Sequence, residues 1–221
     1  KTAYHYADAY VGTSDEFRDE PLKYGEGKEK DRITVYVGCD LHIFDKGVSR
    51  YSDTIEKGEE EFWIIYTGTL GSSYDIGTLV KAAQDIKKKG YSNIKFKILG
   101  NGPLKEQFES MARKSPCEVE FLGYVQYEKM AAYLSKSDVT INSFIKAAPQ
   151  SIVNKVGDYL AAGKPMINTL SSPEFKRKVE TEKFGINVEA ENYTALSDAI
   201  LQLYKDRFNY KKFCINARKT A

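Results

Sequence analysis

Four short apolar runs, FWIIY (62–66), FKIL (96–99), VEFL (119–122) and VTIN (139–142), each lead into a turn and then a stretch of helical periodicity. The runs are strand-sized and rich in β-branched and aromatic residues, which predicts buried strands. After the first, Ile76, Leu79, Val80, Ala83 and Ile86 share one helical face, and lysines 87–89 with Gly90 close that helix. Later helices carry Leu104, Phe108 and Met111, then Met130, Ala131 and Leu134. Strand PMIN (165–168), a short strand INV (186–188) and a helix with Leu196, Ala199, Ile200 and Leu203 complete the series. This alternation predicts an α/β chain: a Rossmann-like parallel sheet with helices on both faces and right-handed crossovers.

Residues 1–60 keep this rhythm less well. DAYVGTS (8–14) and RITVYVG (32–38) read as two strands around a polar helical stretch, and TIEKGEEE (54–61) as a charged, solvated connector. The expected division is 1–45 as the end of a preceding α/β domain, 46–60 as linker, 61–205 as the ligand-binding domain and 206–221 as a terminal helix. The start at Lys1, within what reads as the middle of a unit, leads to the expectation of a fragment.

Composition narrows the function classes. A formal net charge of +2 over 221 residues makes no electrostatic case for a nucleic-acid partner. No apolar run approaches the roughly 18 residues that span a bilayer. Cys39, Cys117 and Cys214 are odd in number and far apart, which suits a reducing cytoplasm and small apolar fillers rather than a disulfide framework. His5 and His42 stand alone, without a partner pattern for catalysis or metal binding.

Open parallel sheets bind ligands beyond the carboxyl ends of their strands. Those positions here are Gly68 to Ser73, Gly100 to Gly102, Gly123 to Val125, and Ser143 to Gln150. Glycine in three of the loops permits close backbone approach, although it is also ordinary turn chemistry. GTLGSS and GNGP fail the dinucleotide fingerprint, no G-K-[ST] follows a strand, and no Asp-x-Asp pair offers a metal-chelating nucleotide site. The stretch KVGDYLAAGKPMIN (155–168) reads as the end of a helix over 151–162, a glycine stop at Gly163 and a strand opened by Pro165. The helix N-terminus suits a phosphate, Lys155 one turn in suits a diphosphate, and Asp158 suits a ribose diol. By spacing alone, Lys155 and Asp158 read first as a solvated surface pair and only second as ligand contacts.

From Trp63 to Arg218 the segments IIYTGTLG, FKILGNGPLKEQFE, VEFLGYV, LSKSDVTINS, KVGDYLAAGKPMI and FGINVEAENYTALSDAI occur in an ordered series. That series resembles the C-terminal, nucleotide-sugar-binding domain of the family-4 (group 1) glycosyltransferases of GT-B fold. ADAYVGTSDEF and RITVYVGCDLHIF are similar to the close of that fold's N-terminal, acceptor-binding domain. The resemblance implies retaining, metal-independent transfer from a nucleoside-diphosphate sugar, uridine being the family expectation, to a saccharide or lipid-linked acceptor. The sugar nucleotide is then substrate, and no cofactor is implied.

The family's Glu-x7-Glu signature falls on Gln150 and Asp158, both departures; Asp158 keeps a carboxylate for the ribose, and Gln150 only hydrogen-bonding capacity toward the sugar. The basic residues that grip the diphosphate after the first strand fall on Thr69 and Tyr74, leaving that role to Lys155 and to backbone N–H groups around Val153 and Asn154. Catalytic contributions are thereby assigned to Lys155 and Gln150. Donor contacts are assigned to Gly68, Thr69, Gly100, Gly102, Tyr124, Val125, Ser143, Val153, Asn154 and Asp158, with the base near 123–125. A sugar-nucleotide epimerase or inverting transferase of the same architecture, or a non-catalytic flavodoxin-like module, are the alternatives. Lysines 176 and 178 with Arg177, and Lys211, Lys212 and Arg218, would offer weak contact with the inner membrane face.

Overall fold

The computed structural model describes residues 2–114, 116–148 and 152–221. The chain opens with helix α1 (Thr2–Tyr6), strand β1 (Ala9–Gly12), helix α2 (Asp15–Arg18), a 3-10 turn and strand β2 (Asp31–Thr34). β1 and β2 pair in parallel, so both expected strands are present with helical structure between them. Helix α3 (Leu41–Tyr51) begins where Asp40 accepts from the His42 and Ile43 amides, and it runs into the stretch expected as linker. Phe44 is buried, and a Cβ on Gly47 would stand 2.6 Å from the Glu128 carbonyl oxygen. Farther on, Ile55 is buried and Lys57 meets Asp138 at 2.5 Å. The connector is therefore anchored at these two points, because an apolar contact and an ion pair outweigh its polar composition.

Strands β3 (Phe62–Thr67), β4 (Ile94–Leu99), β5 (Val119–Gly123), β6 (Val139–Asn142), β7 (Met166–Asn168) and β8 (Gly185–Asn187) form one sheet in the order β5-β4-β3-β6-β7-β8. Every pairing is parallel. All of β3 is buried, as a central strand between two helical layers requires. The chain steps outward from β3 to β4 and β5, then returns to β6 on the other side. The gap between β3 and β6 is the topological switch point.

The covering helices are α4 (Ile76–Lys88), α5 (Lys105–Arg113), α6 (Tyr127–Lys136), α7 (Lys155–Ala161), α8 (Pro173–Glu182), α9 (Tyr193–Lys205) and α10 (Arg207–Thr220). Asp75 caps α4 by accepting from the Thr78 amide, and the predicted stripe Ile76, Leu79, Val80, Ala83 and Ile86 is buried. α4 and α9 cover one face around Ile64, while α6, α7 and α8 cover the other around Ile65. Gly163, at φ +62°, closes α7, and the Pro165 carbonyl receives the Thr140 amide as the chain enters β7. This is the expected corner.

Two elements differ from expectation. α8 is unforeseen, since Phe175 and Val179 are its only large apolar residues; its signal is the Ser172 cap followed by Pro173. α7 begins at Lys155, not at 151. Ile152 and Val153 are β-branched and pack against the core instead, and the Val156 and Gly157 amides bond to the carbonyls of Val153 and Asn154. The chain itself thus satisfies two amides of that first turn, those of Val156 and Gly157.

Candidate functional site

Beyond the carboxyl ends of β3, β4 and β5 stand Gly68, Gly100 and Gly123, with φ of +135°, +138° and +69°. A Cβ on Gly100 would lie 1.9 Å from the Gly68 carbonyl oxygen, and one on Gly102 would lie 2.4 Å from that of Leu70. These glycines let the second loop lie flat on the first. Gly102 does only that and does not line the space above. Gly68, Thr69, Gly100, Tyr124 and Val125 do line it, around a cavity of about 320 Å³. Tyr124 stands at its rim, 77% exposed.

Lys155 enters beneath this cavity. Its Nζ is buried and has no hydrogen-bond partner among the described residues. The ring centroids of Tyr66, Tyr74 and Phe144 lie 4.1, 4.5 and 5.5 Å from it. A Cβ on Gly68 would be 3.1 Å from Nζ, so this residue is the thin wall between amine and cavity. Burial lowers the Lys155 pKa to about 7. The solvated Lys155–Asp158 pair allowed by spacing does not form. At the first helical position the side chain points back past the helix start, into the switch point.

Asp158 is engaged elsewhere. Its Oδ1 accepts from the Tyr127 hydroxyl at 2.8 Å, and that hydroxyl meets Cys39 Sγ at 3.3 Å. Burial raises the Asp158 pKa, and the bonds from Tyr127 and Cys39 oppose the rise. Gly157 allows this seam, since a Cβ there would come within 3.2 Å of the Gly38–Cys39 backbone. Ser143 is buried and donates to the Asp75 carbonyl, which makes it a loop tie. Val153 packs against the core, Asn154 is exposed and makes no side-chain cap, and Gln150 lies outside the described residues.

Sequence reasoning did not find the aromatic cage, the Tyr127 bond to Asp158, or a ladder of amides across β6, β7 and β8. Asn142 Nδ2 donates to Asn168 Oδ1, Asn168 Nδ2 to Asn187 Oδ1, and Asn187 Nδ2 to the Lys176 carbonyl, each at 2.9 Å. Asn142 Oδ1, at the head of the ladder, is buried with no partner among the described residues. The signal was present, since three strands end in Asn as VTIN, MIN and GIN. Among the described residues, no three His, Cys, Asp or Glu side chains gather as metal ligands.

The glycine-walled cavity lies beside the switch point of a parallel sheet, where such folds bind ligands. The family description "Glycosyl transferases group 1" matches residues 61–206. The chain belongs to that family. Among curated relatives of this group 1 chain is the GalNAc-alpha-(1->4)-GalNAc-alpha-(1->3)-diNAcBac-PP-undecaprenol alpha-1,4-N-acetyl-D-galactosaminyltransferase of Campylobacter jejuni, 24% identical over 201 residues. That match covers 86% of this chain and 54% of the relative, so the chain spans about half the relative's length. In fold it is similar to Anabaena Alr3699/HepE, solved with UDP-glucose, at a TM-score of 0.80 and 14% identity, covering 99% of this chain and 60% of that one. A glycosyltransferase of Rickettsia africae gives 0.80 at 16% identity with the same coverage. The C-terminal domain of a group 1 family protein of Francisella tularensis gives 0.65 at 15% identity, over 82% of this chain and 95% of that one. The architecture is that of GT-B glycosyltransferases. No helix among the described residues is long and apolar enough to cross a membrane.

Proposed function

We propose that this group 1 chain is the donor-binding part of a glycosyltransferase that passes a sugar from a nucleoside-diphosphate sugar to a saccharide or lipid-linked acceptor, with retention and without a metal. The observation that carries this reading is the buried Lys155 amine beneath Gly68, at the wall of a cavity beside the switch point. Breaking the sugar–diphosphate bond places negative charge on the leaving diphosphate. A cation held where water is excluded stabilises that charge far better than one in solvent. Lys155 supplies the cation, and Gly68 and Gly100 leave room for phosphate oxygens near the backbone. Tyr124 and Val125 flank the place for the base, where the exposed Tyr124 ring offers a stacking face. Asp158 serves the ribose through the oxygen that Tyr127 does not use.

Uridine is the base this reading favours, supported by the similar fold solved with UDP-glucose. A lipid-linked acceptor is supported by the undecaprenol-linked acceptor in the name of the Campylobacter relative. Such an acceptor suits a cytoplasmic protein that meets the membrane surface, and the exposed Phe208, Lys211, Lys212 and Ile215 of α10 suit that contact. Calorimetric titration with UDP, GDP, ADP and TDP tests the donor site. One nucleotide should bind, and Asp158→Ala should weaken it by about 1–3 kcal/mol. Failure of all four to bind would sink the reading.

A further inference from the structure

Lys155 Nζ is a buried donor with no acceptor among the described residues. The three rings that enclose it come from separate segments: Tyr66 from the end of β3, Tyr74 from the loop behind it, and Phe144 from the loop behind β6. The rings also support one another, with centroids 6.2 Å apart for Tyr66 and Tyr74 and 5.0 Å apart for Tyr74 and Phe144. On the remaining side lies Gly68, exposed and lining the cavity.

Among the described residues, the titratable groups around the amine bring it no negative charge. Tyr66 donates its hydroxyl to the Thr69 carbonyl, and Tyr159 on α7 is tied to Thr67 at 2.8 Å. Burial pushes both of these phenols up, so they stay neutral. The carboxylates nearest in sequence are committed elsewhere, Asp75 to the Thr78 amide and Asp158 to Tyr127. Aromatic faces favour an ammonium by about 0.5–2 kcal/mol, whereas burying an unpaired charge costs several. The neutral amine therefore competes with the ammonium in the empty site.

We propose that Lys155 is a proton-linked sensor of the diphosphate: only partly charged in its cage, it takes up a proton from solvent when a diphosphate oxygen arrives over Gly68 and becomes its acceptor. In this step the amine lone pair binds one proton from water or buffer, the resulting N–H donates to the phosphate oxygen, and no other bond changes. The inference rests on the donor-site reading above and adds how that site tells a diphosphate from a neutral ligand. An anionic oxygen in contact restores the charged form that burial disfavours, and burial sets the free amine at about 7. Affinity for a diphosphate should then fall about tenfold per pH unit above 7, until the pKa of the bound form is reached. Uridine, without phosphates, should show no such slope.

Titrating the protein with UDP in two buffers of different ionisation enthalpy reads the proton directly. Uptake should approach one proton per UDP at pH 8 and about half a proton at pH 7. Lys155→Met fills the cage with an apolar chain of similar length, so it should fold, lose the uptake and bind UDP at least tenfold more weakly. Binding without uptake, or uptake that persists in Lys155→Met, overturns this inference and leaves the donor-site reading standing. Binding by none of UDP, GDP, ADP and TDP overturns both. In the free protein, the NMR signal of the Lys155 ε-carbon, assigned by its loss in Lys155→Met, should titrate near neutrality; titration at the ordinary lysine value overturns the inference without any ligand.

Discussion

The two halves of the sheet end their strands in different residues. β3, β4 and β5 run out into Gly68, Gly100 and Gly123, all at positive φ, whereas β6, β7 and β8 run out into Asn142, Asn168 and Asn187. Glycine removes side chains where two loops must cross, and the space above them stays open as the cavity. Asparagine fills the equivalent space, and its amides bond to one another from strand to strand. One half therefore leaves space open above its strand ends and the other fills it. Lys155 reaches the first half from the segment that joins β6 to β7, and its amine sits at their seam.

The largest effect should come from closing the glycine half. Gly100→Ala puts a Cβ 1.9 Å from the Gly68 carbonyl oxygen at a φ of +138°. Neither the loop nor the new residue can relax without moving the other, so a loss of more than about 3 kcal/mol is expected by urea denaturation. A loss below about 1 kcal/mol would mean that the two loops are not in contact.

Lys155→Met probes the seam, and here stability and function should move in opposite directions. Because the folded-state pKa of this amine lies near 7, below the ordinary 10.5, the unfolded chain holds more protons between those values. Wild-type stability should accordingly rise with pH from 7 to 9, and Lys155→Met should lack that rise and be more stable at pH 7 by a few kcal/mol. Thermal melts across that range check the sign. Equal slopes in the two proteins would show that the amine is hydrated or paired in solution.

The asparagine half should respond in stability alone. Asn168→Ala breaks the middle of the ladder and strands Asn142 Nδ2, Asn187 Oδ1 and the Leu170 amide. A loss of about 2–3 kcal/mol is expected, with nucleotide affinity unchanged within twofold. A tenfold loss of affinity would place the ligand on this half instead.

Strand–helix alternation made most of the architecture legible, because β3 and α4 carry their burial in their spacing. Gly68, Thr69, Gly100, Tyr124 and Val125 were readable as neighbours, since loops behind adjacent parallel strands must lie together. The cage was not readable. Tyr66 reads as the end of a strand, Tyr74 as a departure from a basic position and Phe144 as loop, and only the fold brings them to one amine. The start of α7 was misplaced because periodicity does not register that Ile152 and Val153 prefer the core. The asparagines were visible at three strand ends, yet their meaning depends on register, in which Asn142, Asn168 and Asn187 are direct partners.

Tyr127→Phe makes the finest cut, because it removes one oxygen from the boundary between α6 and α7. Tyr127 holds Oδ1 of Asp158, and Cys39 approaches the same hydroxyl from the far segment. Loss of that bond frees the carboxylate to turn without emptying the space, for a cost of about 1 kcal/mol in stability. If Asp158 reads the ribose, UDP should bind a few-fold more weakly, and the preference for UDP over its 2′,3′-dideoxy analogue should shrink. A purely structural Tyr127 would weaken both nucleotides equally. That ratio separates a residue that aims the ribose ligand from one that only joins two helices.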